Sequence, residues 1–411
     1  GTVVNGVIQN DIYFQNTPNS TASGTYNFSI TFTSTSTTEV VTGTINVNSA
    51  PKTYVPDDNF EQELINLGYD DVLDDYVITS NISSVTSLNL DRKNISDATG
   101  INGFTSLQSL NFMGNLVNTI DFSSNLVLTN LYLNNNSIST IDLTNNTLLT
   151  SLIIKTNNLT SIDLSSNLKL ETLHLGNGSG FTGWTDPNPT TNQFTSIDLS
   201  NNTLLTSLSL EQSNLSSIAL DNNVLLTNLD LSENNLTSVD IGNCTALVSL
   251  AVGYNALNSL DISNNSNLST LISSNNPNLT CINANQSQIN NIPNAQQGNC
   301  TNNCWYYDVN QYFTLDCSDD SLGIRVESGQ GGSVSISSRL QNQTLSGGQS
   351  NTYNNGYHPG EIVTLTATPD SGKTFAGWNC SAHCGTNSFT SSLTIDVVLD
   401  NDTIDISASF N

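Results

Sequence analysis

The chain has 411 residues, more than one compact domain of ~100–200 residues accommodates, so several units or one elongated array are expected. Eight lysines and arginines against 35 aspartates and glutamates give a formal charge of −27, which argues against nucleic acid or an anionic membrane surface as partner. Charged residues make up only 10% of the chain and no apolar run approaches the ~18 residues of a membrane span, so an extracellular location, secreted or on a cell surface, is expected. The chain opens at Gly1 without an initiator Met, as expected of a mature product or an excised piece.

In residues 1–50, Tyr26, Phe28, Ile30 and Phe32 alternate with polar residues, as do Ile45 and Val47, predicting a small β-unit. Residues 51–84 read as a helical cap. Within them, Pro56-Asp57-Asp58 precedes Phe60, Leu64 and Leu67 and then Gly68, the pattern of a capped amphipathic helix in the run from Tyr54 to Thr79.

An internal repeat fills residues 85–280. The frame L-x-x-L-x-L-x-x-N begins at Leu107, Leu128, Leu149, Leu170, Leu205, Leu226, Leu247 and Leu268, and Val85-Leu88-Leu90 is a degenerate first copy. Successive starts lie 21 or 22 residues apart, except for a step of 35 from Leu170 to Leu205 that must hold a 14-residue insertion. A second frame, as in Leu159-Ile162-Leu164-Asn167, predicts another short strand in each coil. Alternation turns the leucines inward, and no coil has a core of its own, so stacked neighbours must supply one. Nine coils at ~4.8 Å each make a body on the order of 40 Å long. Two asparagine columns, Asn115, Asn136, Asn157, Asn234, Asn255 and Asn276, and Asn125, Asn146, Asn167, Asn202, Asn223 and Asn265, fall at the turns. There an amide can both donate to and accept from adjacent coils, so both columns read as structural.

Several copies in one phase, built from motifs such as N-N-L-T-S-I-D-L-S, resemble the bacterial leucine-rich repeat family across about residues 54–300. The resemblance implies that the helical segment shields the first coil and that Asn278 through Cys300 close the last, within a C-terminal cap and linker at 281–320. Residues 321–411 carry Gly331-Gly332-Ser333-Val334, Gly360-Glu361-Ile362-Val363, Phe375-Ala376-Gly377-Trp378 and Ile406-Ser407-Ala408-Ser409-Phe410. They resemble the divergent B-repeat of internalin-type surface proteins, which implies a small all-β spacer or adhesive unit. Alternating Val363, Leu365 and Ala367 independently argue for a half-buried strand there. The expected fold class is mainly β: a parallel leucine-rich repeat solenoid with an N-terminal β-unit, a helical cap and a C-terminal all-β module.

Seven cysteines are present. In an extracellular setting, local pairing joins Cys281 to Cys300, Cys304 to Cys317 and Cys380 to Cys384, leaving Cys244 as an inert thiol in the second asparagine column. A metal site at Cys380-Ser381-Ala382-His383-Cys384 has no clear fourth ligand. Asp121, Asp142, Asp163, Asp198, Asp240 and Asp261 form an outward column whose repulsion must be offset, by Ser and Thr hydroxyls or by calcium. Asp142, Asp163, Asp319 and Asp320 are the calcium candidates of this reading, together with the acidic run Asp70-Asp71 and Asp74-Asp75; no other cofactor is expected.

The other outward face varies from coil to coil: Asn111, Tyr132, Ile153, His174, Ser209, Asp230, Ala251 and Ile272, followed by Met113, Lys155, Glu211, Glu233 and Tyr254. A face freed from the repeat consensus is where a solenoid places ligand contacts, so Tyr132, Lys155, His174, Asp230 and Tyr254 are candidate ligand-binding residues. Phe181 and Trp184 join them from the insertion, where they either contact a ligand or cover the interrupted coil. No nucleophile elbow, H-E-x-x-H or phosphate loop occurs, so an enzyme is not expected. The expected function is non-catalytic adhesion to a protein or glycan, without membrane insertion. The rivals are a carbohydrate-binding accessory region of a larger secreted enzyme and a self-associating stalk or filament subunit.

Overall fold

A computed structural model describes residues 50–177, 191–291, 305–308, 311–317, 322–338, 342–357, 361–382, 391–399 and 404–411, with strands at 3–4, 7–8, 24–33 and 38–47. Near the N-terminus Gly24–Thr33 and Thr38–Val47 pair as an antiparallel hairpin.

The cap helix is shorter than the run predicted for it. It spans Asp58–Asn66, and the flanking residues form a two-stranded ribbon, Lys52–Tyr54 against Tyr76–Ile78. Gly68 at φ +80° ends the helix in a conformation that costs a residue with a Cβ. Phe60 and Leu64 turn inward, and the Phe60 ring meets Phe104 and Phe112 of the first coils at centroid distances of 6.4 and 6.3 Å. Asp57 is the N-cap: Oδ1 accepts from Asn59 N and Phe60 N, each at 3.0 Å. Its Oδ2 accepts from Ser96 N and Ser96 Oγ at 2.8 Å and from Asp97 N at 3.0 Å, so one carboxylate caps the helix and fastens it to the first coil. Burial opposes its ionisation, yet these donors hold its carboxyl below the usual range.

All nine predicted frames form parallel strands in one sheet, from Ser87–Asn89 to Thr270–Ile272, in unbroken register. Trp305–Tyr306 adds a tenth strand, with Trp305 opposite Leu271 in the buried leucine column. Ten strands span about 43 Å. The second strand predicted in every coil is largely not formed; a second sheet holds only Leu260–Asp261, Cys281–Asn283 and Tyr312–Thr314. The aspartates of these segments close turns, Asp261 of the second sheet included. Oδ1 of Asp121, Asp142, Asp163, Asp198, Asp240 and Asp261 each accepts the backbone N–H two residues on, closing a turn.

The first asparagine column bonds in three directions. Asn157 Oδ1 accepts from Ile138 N of the preceding coil at 3.0 Å, while Nδ2 donates to Leu133 O and Ile154 O. Asn192 takes the same place in the interrupted coil, receiving Leu159 N and donating to Ile154 O and Leu175 O. In the second column Nδ2 donates twice, as from Asn146 to Phe122 O and Asn125 O. There Oδ1 of Asn125, Asn146, Asn167, Asn223 and Asn265 is sealed without a donor.

One disulfide joins Cys281 to Cys317, correcting the local pairings Cys281–Cys300 and Cys304–Cys317. Cys281 lies in register with Tyr312 on adjoining strands, which brings Cys317 to it across 36 residues. Closing a loop of that length stabilises by about 4 kcal/mol in the chain-entropy model. Cys380 is also disulfide-bonded, while Cys300, Cys304 and Cys384 lie outside the described residues. Cys244 is a buried free thiol pushed up to about 11, by burial first and then by Asp240 and Asp221.

The C-terminal module has its own core between two four-stranded sheets, with Ile324, Val326, Val363, Leu365, Tyr357 and Ile406 buried. Leu322–Ser328 and Ile404–Phe410 pair in parallel. Gly332 lies under Phe410, where a Cβ would stand 2.3 Å from the ring. Among the described residues no helix is long and apolar enough to cross a membrane.

A carboxyl held below its ordinary value contributes stability that is present above the unfolded pKa of ~3.9 and lost as pH falls through the depressed value. Asp57→Asn is therefore expected to cost roughly 1–2 kcal/mol at pH 7 and to converge on the parent stability in strong acid. Urea unfolding at several pH values measures both; a constant difference from pH 7 to strong acid would contradict the assignment.

Candidate functional site

Each of the first nine solenoid strands is three residues long, with its central leucine buried and its flanking residues turned toward the sheet face. One outward column is uniform: Ser87, Ser109, Asn130, Ser151, Thr172, Ser207, Asn228, Ser249 and Thr270 carry a hydroxyl or amide in every coil. The next column is varied, and the register sets Asn111, Tyr132, Ile153, His174, Ser209, Asp230, Ala251, Ile272 and Tyr306 side by side. Tyr132, Ile153 and His174 thus form a half-buried, largely apolar patch on three adjoining strands, beside Asp230 two strands further on.

Charged side chains close over this patch. The Lys155 ammonium pairs with Glu211 Oε1 across 56 residues of sequence, and Ser209 Oγ donates to Glu211 Oε2. Gly176 permits the crossing, because a Cβ there would lie 2.6 Å from Glu211 N and from its Cδ. Burial works against the Glu211 carboxylate, but Lys155 and Ser209 hold it below the usual range. Burial pushes His174 down, and Lys155 adds to this; Nε2 of His174 lies 3.0 Å from Ser207 Oγ. Asp230 is pushed up, by burial first and by Glu211 among its charged neighbours, while accepting from Ser232 N at 3.0 Å. The cluster therefore presents a neutral imidazole and one ion pair near pH 7.

The turn leaving the face holds a residue at positive φ in most coils. Gly114, Asn135 and Asn275 suit that conformation, whereas Arg92, Thr156, Gln212, Glu233 and Tyr254 occupy it at φ +53° to +57°. A β-branched or aromatic residue there carries on the order of 1 kcal/mol of strain, which the lattice sustains. Tyr254 is 59% exposed and so gains little from packing in return. The sequence marked Tyr254 as variable; its strained turn follows only from the coil geometry.

The structure thus brings Tyr132, Lys155, His174 and Asp230 together, adds Glu211 and Ser209 to them, and sets Tyr254 at the rim. Phe181 and Trp184 lie outside the described residues. The insertion is clamped at its base, where Asn177 Nδ2 donates to Asn192 O at 2.8 Å and Asn177 Oδ1 accepts from Asn192 N at 2.6 Å. Of the calcium candidates, Asp142 and Asp163 are exposed turn residues occupied by their own backbone and held below the usual range by Thr144 and Ser165. Asp319 and Asp320 lie outside the described residues.

Residues 323–411 match the family model of the divergent InlB B-repeat domain. The C-terminal module is thus similar to that family over nearly its whole length. It follows a solenoid whose register and asparagine column are those of a leucine-rich repeat array. Similar solved structures include the functional domain of InlJ from Listeria monocytogenes, described as including a cysteine ladder, at 20% identity and TM-score 0.35 over 79% of this chain and 99% of that one. Others are a leucine-rich repeat protein of Leptospira interrogans (18%, TM-score 0.40, 50% and 62%) and the internalin InlF of Listeria monocytogenes (22%, TM-score 0.29, 57% and 90%). No curated protein matches the chain. The solenoid assignment stands on its own strand register, and the B-repeat on the family match.

Replacing Lys155 by Met removes a cation beside His174 and frees Glu211 as an anion near it, and both changes favour the imidazolium. The His174 pKa, read by NMR from its ring Cε1–H signal, is expected to rise in Lys155→Met; an unchanged or lowered value would contradict the cluster geometry.

Proposed function

We propose that the chain is a non-catalytic recognition module exposed outside the cell, whose strand face binds a protein or glycan partner in adhesion. One observation carries this reading. On a lattice that repeats strictly elsewhere, the column from Asn111 to Tyr306 changes identity at nearly every coil and is bordered by strained turn residues, Tyr254 foremost. Most of these variations lie outside the core, whose strand leucines repeat beneath them; Ser209 and Ala251 are the buried exceptions. A face about 43 Å long, with two outward residues per strand, suits a large partner, and the apolar Tyr132–Ile153 surface supplies the aromatic anchor that such contacts favour. A net charge of −27 favours a partner of basic surface. Disulfide bonding at Cys281–Cys317 and Cys380 supports an oxidising, extracellular setting. The B-repeat then serves as a spacer or adhesive unit behind the solenoid.

The test is binding of the full chain to a combined glycan and host-protein array, beside a triple variant Tyr132→Ala, His174→Ala, Tyr254→Ala. These side chains are exposed or half-buried on the face, so the variant is expected to fold. At least one probe should bind the parent and lose tenfold or more of its affinity in the variant. Probes that bind both proteins equally, or no binding together with ordered self-assembly, would overturn the proposal in favour of a structural element.

A further inference from the structure

The flank of the solenoid that leads into the strands carries an apolar strip open to solvent. Residues that follow the second turn stack from coil to coil in the register of the sheet, which runs on from Thr172 to Ser207 past the insertion. Four residues ahead of each strand this places Leu126, Thr147, Leu168, Thr203 and Val224 in one column. Three ahead, Val127, Leu148, Lys169, Leu204 and Leu225 form the next. Leu126 and Leu168 are each 54% exposed, and Leu204, Val224 and Leu225 between 42% and 45%. The neighbouring coils end the strip, with Thr105-Ser106 before it and Thr245-Ala246 after. Single exposed leucines are ordinary on a protein surface, but a contiguous run across five successive coils marks an interaction surface.

The strip reads nearly the same from either end. Its aliphatic residues number two, one, one, one and two along the five coils, its threonines fall in the second and fourth, and the central coil alone is charged, through Lys169 and Glu171. A surface of that symmetry fits itself when a second copy is turned end for end, as a two-fold interface requires. We infer that two copies of this chain pair antiparallel through this strip, about an axis passing at Leu168. Leu168 then meets its own counterpart, Leu148 meets Leu204, and Leu126 and Val127 meet Val224 and Leu225, while Thr147 meets Thr203. Lys169 stands two residues along the chain from the level of Glu171, a distance its four-carbon stem spans, so each copy's cation reaches the other's anion. The column next to the strands does not oppose closure. Thr129, Thr150, Thr206 and Thr227 already donate their hydroxyls to carbonyls of the preceding coil, so covering them strands no donor. At about 24 by 13 Å the strip offers roughly 300 Å² per copy, below the ~800 Å² of a stable interface, so pairing is weak in dilute solution and is favoured where copies are held close together. None of the candidate ligand contacts on the strand face takes part, so pairing and recognition are separable.

Sedimentation equilibrium of the full chain, from micromolar to millimolar concentration, reads the association. The weight-average mass is expected to rise toward two chains and stop there. The constant is expected to tighten several-fold from low to high salt, because copies of charge −27 repel while the strip gains by burying apolar surface. Leu168→Ser and Leu204→Ser alter exposed side chains and are expected to weaken pairing tenfold or more, since each change is felt in both copies. Lys169→Glu is expected to weaken it too, and adding Glu171→Lys to restore it, a rescue that a merely disturbed surface would not show. Tyr254→Ala, on the strand face, leaves the constant unchanged whatever becomes of ligand binding. A chain that stays monomeric at millimolar concentration, assembly that continues beyond two copies, or pairing indifferent to both serine variants would overturn the interface.

Discussion

The solenoid depends on satisfying backbone polar groups at turns that lie inside the stack. A coil of 21 residues buries its leucines only against its neighbours, and each buried bend leaves N–H and C=O groups that water cannot reach. The first asparagine column answers this in seven of the nine coils, from Asn115 to Asn276, with a side chain that accepts from the coil before and donates to carbonyls on both. Leucines supply the driving force, but the amides fix the register at which it acts. Asn192 keeps the column continuous past the 14-residue insertion, and Asn177 clamps the insertion's base, so the interruption does not break the sheet.

The two columns are not equivalent, and Cys244 shows why. In the second column the amide oxygen makes no bond at five positions, and only the donor is used. A thiol retains a weak donor and fits the space: Cys244 Sγ lies 3.7 and 3.9 Å from the carbonyls of Asn223 and Leu220. Sulfur in the first column would strand a backbone N–H of the neighbouring coil. The lattice therefore tolerates variation at both turns, with Cys244 in the second column and Ser213 in the first, and on the strand face. That tolerance lets the face carry Tyr132, His174 and the Lys155–Glu211 pair without loss of fold.

Much of this was legible in the sequence, because a repeat states its own register many times over. All nine frames became strands, and the alternation of Val363, Leu365 and Ala367 became a buried strand in the B-repeat. What escaped depended on contacts between distant residues. Trp305 substitutes for leucine in a tenth strand without the motif that marks the others. The I-D-L segments have the alternation of strands, yet among the described residues Leu260–Asp261 alone of them pairs in a ladder, although every Asp of the column accepts the N–H two residues on. Cysteine pairing by proximity in sequence failed because Cys281 and Cys317 are neighbours only across adjoining coils. Glu211 was read as one of several variable positions, and its pairing with Lys155 and its place over Gly176 emerge only when the coils are stacked.

The central claim, that the first asparagine column sets the lattice and the second merely supports it, is tested by placing the same substitution in each. Asn157→Cys and Asn167→Cys fall ten residues apart in the same part of the stack, and urea unfolding of the solenoid measures both. Asn157→Cys leaves Ile138 N–H buried and unpaired, at a cost of about 1–3 kcal/mol beyond that of Asn167→Cys. Equal losses, or a larger loss at Asn167, would contradict the account.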